Sequence, residues 1–376
     1  MAQNHEPGPE RTMNNTIMLG TISLHNMAGG LERNIIYLAN YLASTGRKVV
    51  LLTFDFPDAS SFFEIDPRVI WVKAGATKPH TKTSFREKFR LVGLIRKTIR
   101  QHQVKQIICF THGLLMRFLA AAFGLKIQTI CTERNSLTMY DFTSHRKWSL
   151  NFWLLCFVDK IALQFDAYKN DYPFWVRHKI ITIHNPVFAP KSCTDFSNRT
   201  IVAVGRLTTQ KRFDLIIQAF AITAKTHPDW RLKIVGDGPL HDDLMALIKA
   251  LGVADIVSIS APTKSITNIY EDCSIFAIAS QWEGFPNALA EALSCGLLGV
   301  GFSQTAGVSQ LIQDGFNGVL AHGEPTSQHF STALTNLIEK EEQWPTMSNN
   351  AMQISKTYSV EVWQAAWLNA LRASDI

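Results

Sequence analysis

Short apolar runs alternate with longer amphipathic stretches from residue 16 to beyond residue 320. This is the pattern of a chain that lays down buried parallel strands and returns over helices. The runs at 16–23 and 48–54 predict strands, and the 31–43 segment between them predicts a helix, together a βαβ opening. The alternation continues with strands expected at 106–110 and 128–131 and an apolar helix at 114–123. A second series begins with a strand at 200–205 and a helix at 213–223. Further strands are expected at 231–235, 256–259, 275–279, 298–301 and 318–321, with a helix at 288–295. Two doubly wound α/β units are the simplest reading. Their join is placed at 184–190, where Pro186 and Pro190 interrupt helix and strand alike. Trp363, Trp367 and Leu371 recur at helical spacing and demand a packing partner.

Composition agrees with that picture. The 376 residues suffice for two domains, and 46% hydrophobic against 18% charged residues describes a well-filled globular protein, which excludes disorder or a fibre. The six cysteines, at 109, 131, 156, 193, 273 and 295, lack metal-ligand spacing and read as reduced core residues of a cytosolic protein. Residues 1–14 read as a disordered polar extension without a signal peptide's apolar stretch, and no run approaches a spanning helix. Any membrane contact is therefore expected to be peripheral, on the inner face.

The net charge of +6 changes the picture only through its placement. Residues 82–105 carry eight cations (Lys82, Arg86, Lys88, Arg90, Arg96, Lys97, Arg100 and Lys105) against Glu87 alone. Phe85, Phe89, Val92 and Ile95 or Ile99 recur between them at helical intervals, so the stretch predicts an amphipathic helix with a basic rim. An anionic membrane surface is the better partner; a solvated helical face is the alternative. No nucleic-acid module accompanies the charge, so no nucleic-acid partner is expected.

The most informative segment is Glu283-Gly284-Phe285-Pro286-Asn287-Ala288-Leu289-Ala290-Glu291. It puts Glu283 in the loop after a strand and Glu291 about one turn into a helix. Free N–H groups at that helix start suit a diphosphate, and carboxylates beside it suit ribose or sugar hydroxyls. Gly205-Arg206-Leu207-Thr208-Thr209-Gln210-Lys211 follows another strand, and Arg206 and Lys211 can close on one diphosphate; a solvated basic loop is the alternative. Gly29-Gly30 after the first strand permits close approach of backbone to ligand, or serves the turn alone. It lacks the Gly-x-Gly-x-x-Gly fingerprint, which argues against a dehydrogenase. Gly236-Asp237-Gly238-Pro239 reads first as a structural turn. His25 and His112 stand at strand ends, where structural or solvated roles are commoner than a base. Glu133-Arg134-Asn135 fits the rule that ligands gather beyond the carboxyl ends of parallel strands, with a polar loop as the alternative. No metal-ligand motif is present, so no protein-held metal is expected.

Taken in order, these motifs, with Gly29-Gly30-Leu31-Glu32-Arg33, resemble the family-4 retaining glycosyltransferases of the GT-B fold over nearly the whole chain. Thr132-Glu133-Arg134-Asn135 is similar to the Ser-Glu-Arg-Asn loop of bacterial members that build lipid-linked or exported polysaccharides. The resemblance implies two Rossmann-like doubly wound domains with a C-terminal crossover helix. The acceptor domain would comprise 15–187 plus 358–376, and the nucleotide-sugar domain 188–357. It further implies that Glu291 binds ribose, that Glu283 addresses the donor sugar, and that Arg206 and Lys211 neutralise the departing diphosphate. Glu283, Arg206 and Lys211 are the implied catalytic set. Gly29, Gly30, Gly205, Phe285, Pro286, Asn287 and Ala288 complete the implied donor pocket. No cofactor or metal is implied beyond a nucleotide-diphosphate sugar as co-substrate, expected to be uridine-linked. A hexosyl or N-acetylhexosaminyl unit would pass with retained configuration to a glycan acceptor, expected on polyprenyl diphosphate. Arg134 stands where many relatives place a histidine, which leaves acceptor positioning open. A non-catalytic scaffold and a same-fold epimerase or phosphorylase are the competing readings.

Overall fold

A computed structural model of the chain describes residues 15–27, 29–75, 84–142, 150–190, 193–263 and 265–372. The extension expected over residues 1–14, and Lys82 at the head of the basic stretch, lie outside the described residues.

The first half forms a parallel sheet of seven strands: β1 (Thr16–Gly20), β2 (Val49–Thr53), β3 (Ile70–Lys73), β4 (Val104–Phe110), β5 (Gln128–Thr132), β6 (Lys160–Leu163) and β7 (Ile180–Thr182). Their order is β3-β2-β1-β4-β5-β6-β7. The second half forms a parallel sheet of six: β8 (Thr200–Val204), β9 (Arg231–Val235), β10 (Val257–Ser260), β11 (Ile275–Ile278), β12 (Leu298–Phe302) and β13 (Gly318–Ala321), in the order β10-β9-β8-β11-β12-β13. In each sheet the chain winds outward one way, then returns beside its first strand and winds the other way. The crevices lie between β1 and β4 and between β8 and β11, where such sheets take ligands.

The uninterrupted apolar strands follow from burial on both faces. Ile17, Leu19, Val49 and Leu51 pack with the helix α1 (Gly30–Ser44). Met18, Val50 and Leu52, with alternate side-chain direction, pack with Leu91 and Ile95 of α2 (Phe85–Gln101) and Phe118 of α3 (Leu115–Ala122). The helix Val360–Leu371 joins the first of these layers through Trp363 and Trp367, and Trp367 stacks on Phe110 at 6.3 Å. The earlier helix Trp344–Met352 instead buries Trp344 in the second half's core. The chain thus crosses back between them, where the Val187 N–H donates to the Tyr358 carbonyl at 2.8 Å.

Several expectations need correction. β3, β6 and β7 were not anticipated: β3 and β7 are the sheet's edge strands and only half-buried, and β6 contributes three buried positions, so none leaves a long apolar run in the sequence. β1 stops at Gly20, short of residue 23, since the Ser23 hydroxyl and the Leu24 N–H turn aside to the Asp55 carboxylate. Cys109, Cys131, Cys273 and Cys295 are buried, but Cys156 and Cys193 are exposed; all six are free thiols. The apolar stripe of α2 divides: Leu91, Ile95 and Ile99 face the core, whereas Phe85 and Phe89 are 78% and 74% exposed. Among the described residues no helix is long and apolar enough to cross a membrane.

Candidate active site

The loops that follow β8 and β11 meet at the second sheet's switch point. The Gln281 N–H donates to the Gln210 carbonyl at 2.9 Å, and the Gln210 amide donates to the Trp282 carbonyl at 3.0 Å. This tie brings Lys211 Nζ to 2.5 Å from Glu283 Oε1. The β9 turn backs the loop from below, with the Leu207 N–H donating to the Asp237 carbonyl at 2.9 Å. Gly236-Asp237-Gly238-Pro239 thus braces the loop as a turn, and its Gly236 and Asp237 also border the cleft.

A cleft of about 540 Å³ opens between the two halves above these loops. Gly205, Arg206 and Lys211 line it from the β8 side, and Glu283, Phe285 and Pro286 from the β11 side. Asn287, Ala288 and Glu291 line it from the helix Asn287–Ser294, whose start carries no side-chain cap. Gly29 and Gly30 face them from the start of α1. Every residue implied for the donor pocket therefore borders one space, although the chain separates them by up to 262 positions. A second hollow of about 470 Å³ lies around Thr200, Arg231 and Val257, at the opposite strand ends and away from these groups.

The halves touch closely. A Cβ on Gly30 would collide with the Asn287 side-chain amide, and that amide accepts from Asn185 Nδ2 at 2.8 Å. A Cβ on Gly284 would overlap the Arg134 carbonyl, while Tyr168 Oη donates to the Gly284 carbonyl at 2.6 Å. The Phe285 ring is not open to a ligand: it is buried, stacked on Phe165 at 5.3 Å and edge-on to Tyr358 at 5.4 Å.

Charge is mixed across the cleft. Arg206 is exposed, with the Glu32 carboxylate as a charged neighbour. Burial raises the Glu32 pKa above the ordinary value, against the opposing pull of a backbone hydrogen bond and of Arg206. Glu291 is held by an ion pair with Arg33 of α1, and the same carboxylate raises the Arg33 pKa although burial opposes it. Among the described residues no group of three or more His, Cys, Asp or Glu side chains is arranged for a metal ion.

The remaining candidates separate. Glu133 faces inward and accepts backbone N–H groups of Arg134 at 3.0 Å, Asn135 at 3.3 Å and His112 at 3.4 Å. His112 is buried beside it; its Nδ1 lies 3.3 Å from Glu133 Oε2 without hydrogen-bond alignment, and its Nε2 lies 3.3 Å from Tyr172 Oη. Burial lowers its pKa, with Glu133 opposing. His25 braces its own loop, accepting the Ser60 N–H at 3.1 Å, and lies outside the cleft. Arg134 and Asn135 do border the cleft. Arg134 donates to Asn185, Thr132 and the Ile183 carbonyl, and burial pushes its pKa down to about 10. Arg134, Asn185 and Asn287 thus form a chain of side-chain bonds from β5 to the second half's helix. Arg33, Tyr168 and Asn185 were assigned no role from sequence. The Gly29–Arg33 motif contained the first of them and the join at 184–190 the last, and nothing pointed to Tyr168.

Two family models match the chain. One described as Glycosyltransferase Family 4 covers residues 28–187, and one described as Glycosyl transferases group 1 covers residues 191–354. An uncharacterized glycosyltransferase of Haemophilus influenzae is 30% identical over 352 residues, spanning 92% of this chain and 96% of that one. A Campylobacter jejuni α-1,4-N-acetyl-D-galactosaminyltransferase named for a PP-undecaprenol-linked glycan is 22% identical over 350 residues, spanning 92% and 95%. Among solved structures, Anabaena Alr3699/HepE in complex with UDP and glucose matches with a TM-score of 0.75 at 18% identity, covering 95% of this chain and 99% of that one. The chain belongs to the family-4 glycosyltransferases and has their GT-B fold.

Proposed function

We propose that this glycosyltransferase moves a hexosyl or N-acetylhexosaminyl unit from a UDP-sugar to a polyprenyl-diphosphate-linked glycan, with retention, forming an α-glycosidic bond in surface polysaccharide synthesis. The observation that carries the reading is the convergence in one cleft of Arg206, Lys211, an uncapped helix start and two carboxylates eight positions apart. Residues 188–357 serve the nucleotide-sugar, and residues 15–187 with 358–376 serve the acceptor.

In this reading the diphosphate lies between Arg206, Lys211 and the N–H groups at the start of the helix Asn287–Ser294. As the anomeric C–O bond breaks, negative charge grows on the leaving diphosphate, and the two cations stabilise it more than the intact donor. The acceptor oxygen takes the diphosphate's place at the anomeric carbon with configuration kept, and its proton is released with the nucleoside diphosphate. Glu283 addresses the sugar while its Lys211 bond holds both groups in register. Glu291 accepts from the ribose hydroxyls. The undecaprenol-linked acceptor named for the Campylobacter relative and the UDP bound by the Anabaena neighbour support these choices.

α2 supports a peripheral site on the inner membrane face. Phe85, Arg86, Phe89, Lys97 and Arg100 share its outward side, where aromatic rings can enter an interface that cations approach. Purified protein given a donor panel and polyprenyl-diphosphate glycans tests the function. Transfer with an α-configured product supports it. Absence of donor binding by calorimetry refutes it, and product formation without an acceptor would favour an epimerase.

A further inference from the structure

We infer that Arg33 is a positioning residue for the nucleotide: it holds Glu291 from across the cleft by one carboxylate oxygen, leaving the other to the ribose hydroxyls. The inference rests on the proposed assignment of Glu291 to ribose.

Arg33 and Glu291 belong to opposite halves. Arg33 lies in the first turn of α1, fixed by its N–H bond to the Gly29 carbonyl at 3.1 Å, and its Nη2 donates to Glu291 Oε1. Glu291 projects from the helix Asn287–Ser294, above the fully buried Tyr270, whose hydroxyl donates to the Ala288 carbonyl at 3.3 Å. The two side chains are only 24% and 20% exposed, so water competes weakly for either. A charge-assisted bond in such a setting keeps its direction and fixes the plane of the carboxylate.

The same junction carries the approach of Gly30 to Asn287 and the bond from Asn185 to Asn287. Arg33 therefore meets Glu291 only when the halves are together. A ribose bound to the second oxygen finds its acceptor already oriented, and closure and nucleotide binding favour each other, since both act through one carboxylate. If Arg33 instead competed with the ribose, its removal would tighten binding. The two arrangements predict opposite signs.

Calorimetry on the full chain separates them, using UDP and 2′-deoxy-UDP, or the guanosine pair if the wild type holds GDP more tightly. The expected result is that Arg33→Ala weakens UDP by about 5- to 50-fold. It should also shrink the penalty for losing the 2′-hydroxyl, with Arg33→Lys intermediate. Glu291→Gln should shrink the same penalty. A mere loss of stability would weaken both nucleotides alike and leave their ratio at the wild-type value. UDP bound as tightly as by wild type, or more tightly, or an unchanged ratio in Arg33→Ala, overturns the inference while a reduced ratio in Glu291→Gln preserves the ribose assignment. An unchanged ratio in Glu291→Gln removes both.

Discussion

Gly284 gives the sharpest test of whether the contact between the halves matters for transfer. A methyl group there would fall 2.7 Å from the Arg134 carbonyl carbon and 2.8 Å from Asn135 Cα, with the Arg134 oxygen nearer still. Ordinary contact begins at 3.4 Å. These obstacles are backbone, so no side-chain rotation relieves them, and the Glu283–Phe285 loop must retreat from the Arg134–Asn135 segment after β5 by roughly 1 Å or more. Glu283 moves with it, and so does the bond from Tyr168 to the Gly284 carbonyl. Overpacking of this kind costs about 1–3 kcal/mol of stability. A misplacement near 1 Å at a reacting centre costs about 10²-fold in rate. Gly284→Ala should therefore fold with a lowered Tm and lose about 10²-fold in kcat under saturating donor, measured by product formation. A variant with wild-type kcat would refute the argument that this loop must lie against that segment for chemistry. Full activity combined with an unchanged Tm would refute the packing itself.

Arg206→Ala and Lys211→Ala should each lower kcat by about 10²-fold or more, the scale for losing one transition-state donor; single-turnover rates check this. Glu283→Gln should impair turnover more than nucleotide binding, and Glu291→Gln should weaken binding as well. Wild-type kinetics in both would remove the site assignment. Replacing Lys97 and Arg100 by glutamate should reduce flotation with anionic liposomes but not alter the weaker binding to neutral ones, whereas replacing Phe85 and Phe89 by serine should weaken binding to both. Each cation near such a surface contributes about 1 kcal/mol. Arg96 is a poor choice for that test, because it donates to the Ala121 and Phe123 carbonyls at 2.9 and 2.8 Å and supports α3. Burial lowers the pKa of His112 and His184 below the ordinary imidazole value of about 6.5, so the unfolded chain binds more protons as pH falls through that value. Their contribution to stability is full above it and declines below it. Tm should drop between pH 7.5 and 5, and His112→Gln should flatten the profile.

What the chain's own pattern determined was the layering. The helix Phe213–Thr223 and the strands Arg231–Val235 and Gly318–Ala321 fall where apolar periodicity placed them, because each buries a continuous stripe and local sequence records that burial. The loops after β8 and β11 were legible too, since a cation pair and a carboxylate pair stand at strand ends whatever the rest of the chain does. Three-residue β7 was not legible: Ile180, Ile181 and Thr182 form a strand only because β6 offers its edge. Phe285 read as part of a ligand loop, yet its ring fills a core made by Phe165 and Tyr358, and no local signal distinguishes those fates. The pairing of Arg33 with Glu291 spans 258 positions, and that of Asn185 with Asn287 spans 102. An ion pair of that separation has no period and no spacing. It exists because two units, each specified by its own hydrophobic pattern, bring the start of α1 and the start of the helix Asn287–Ser294 together across a cleft, and only that packing decides which charges meet.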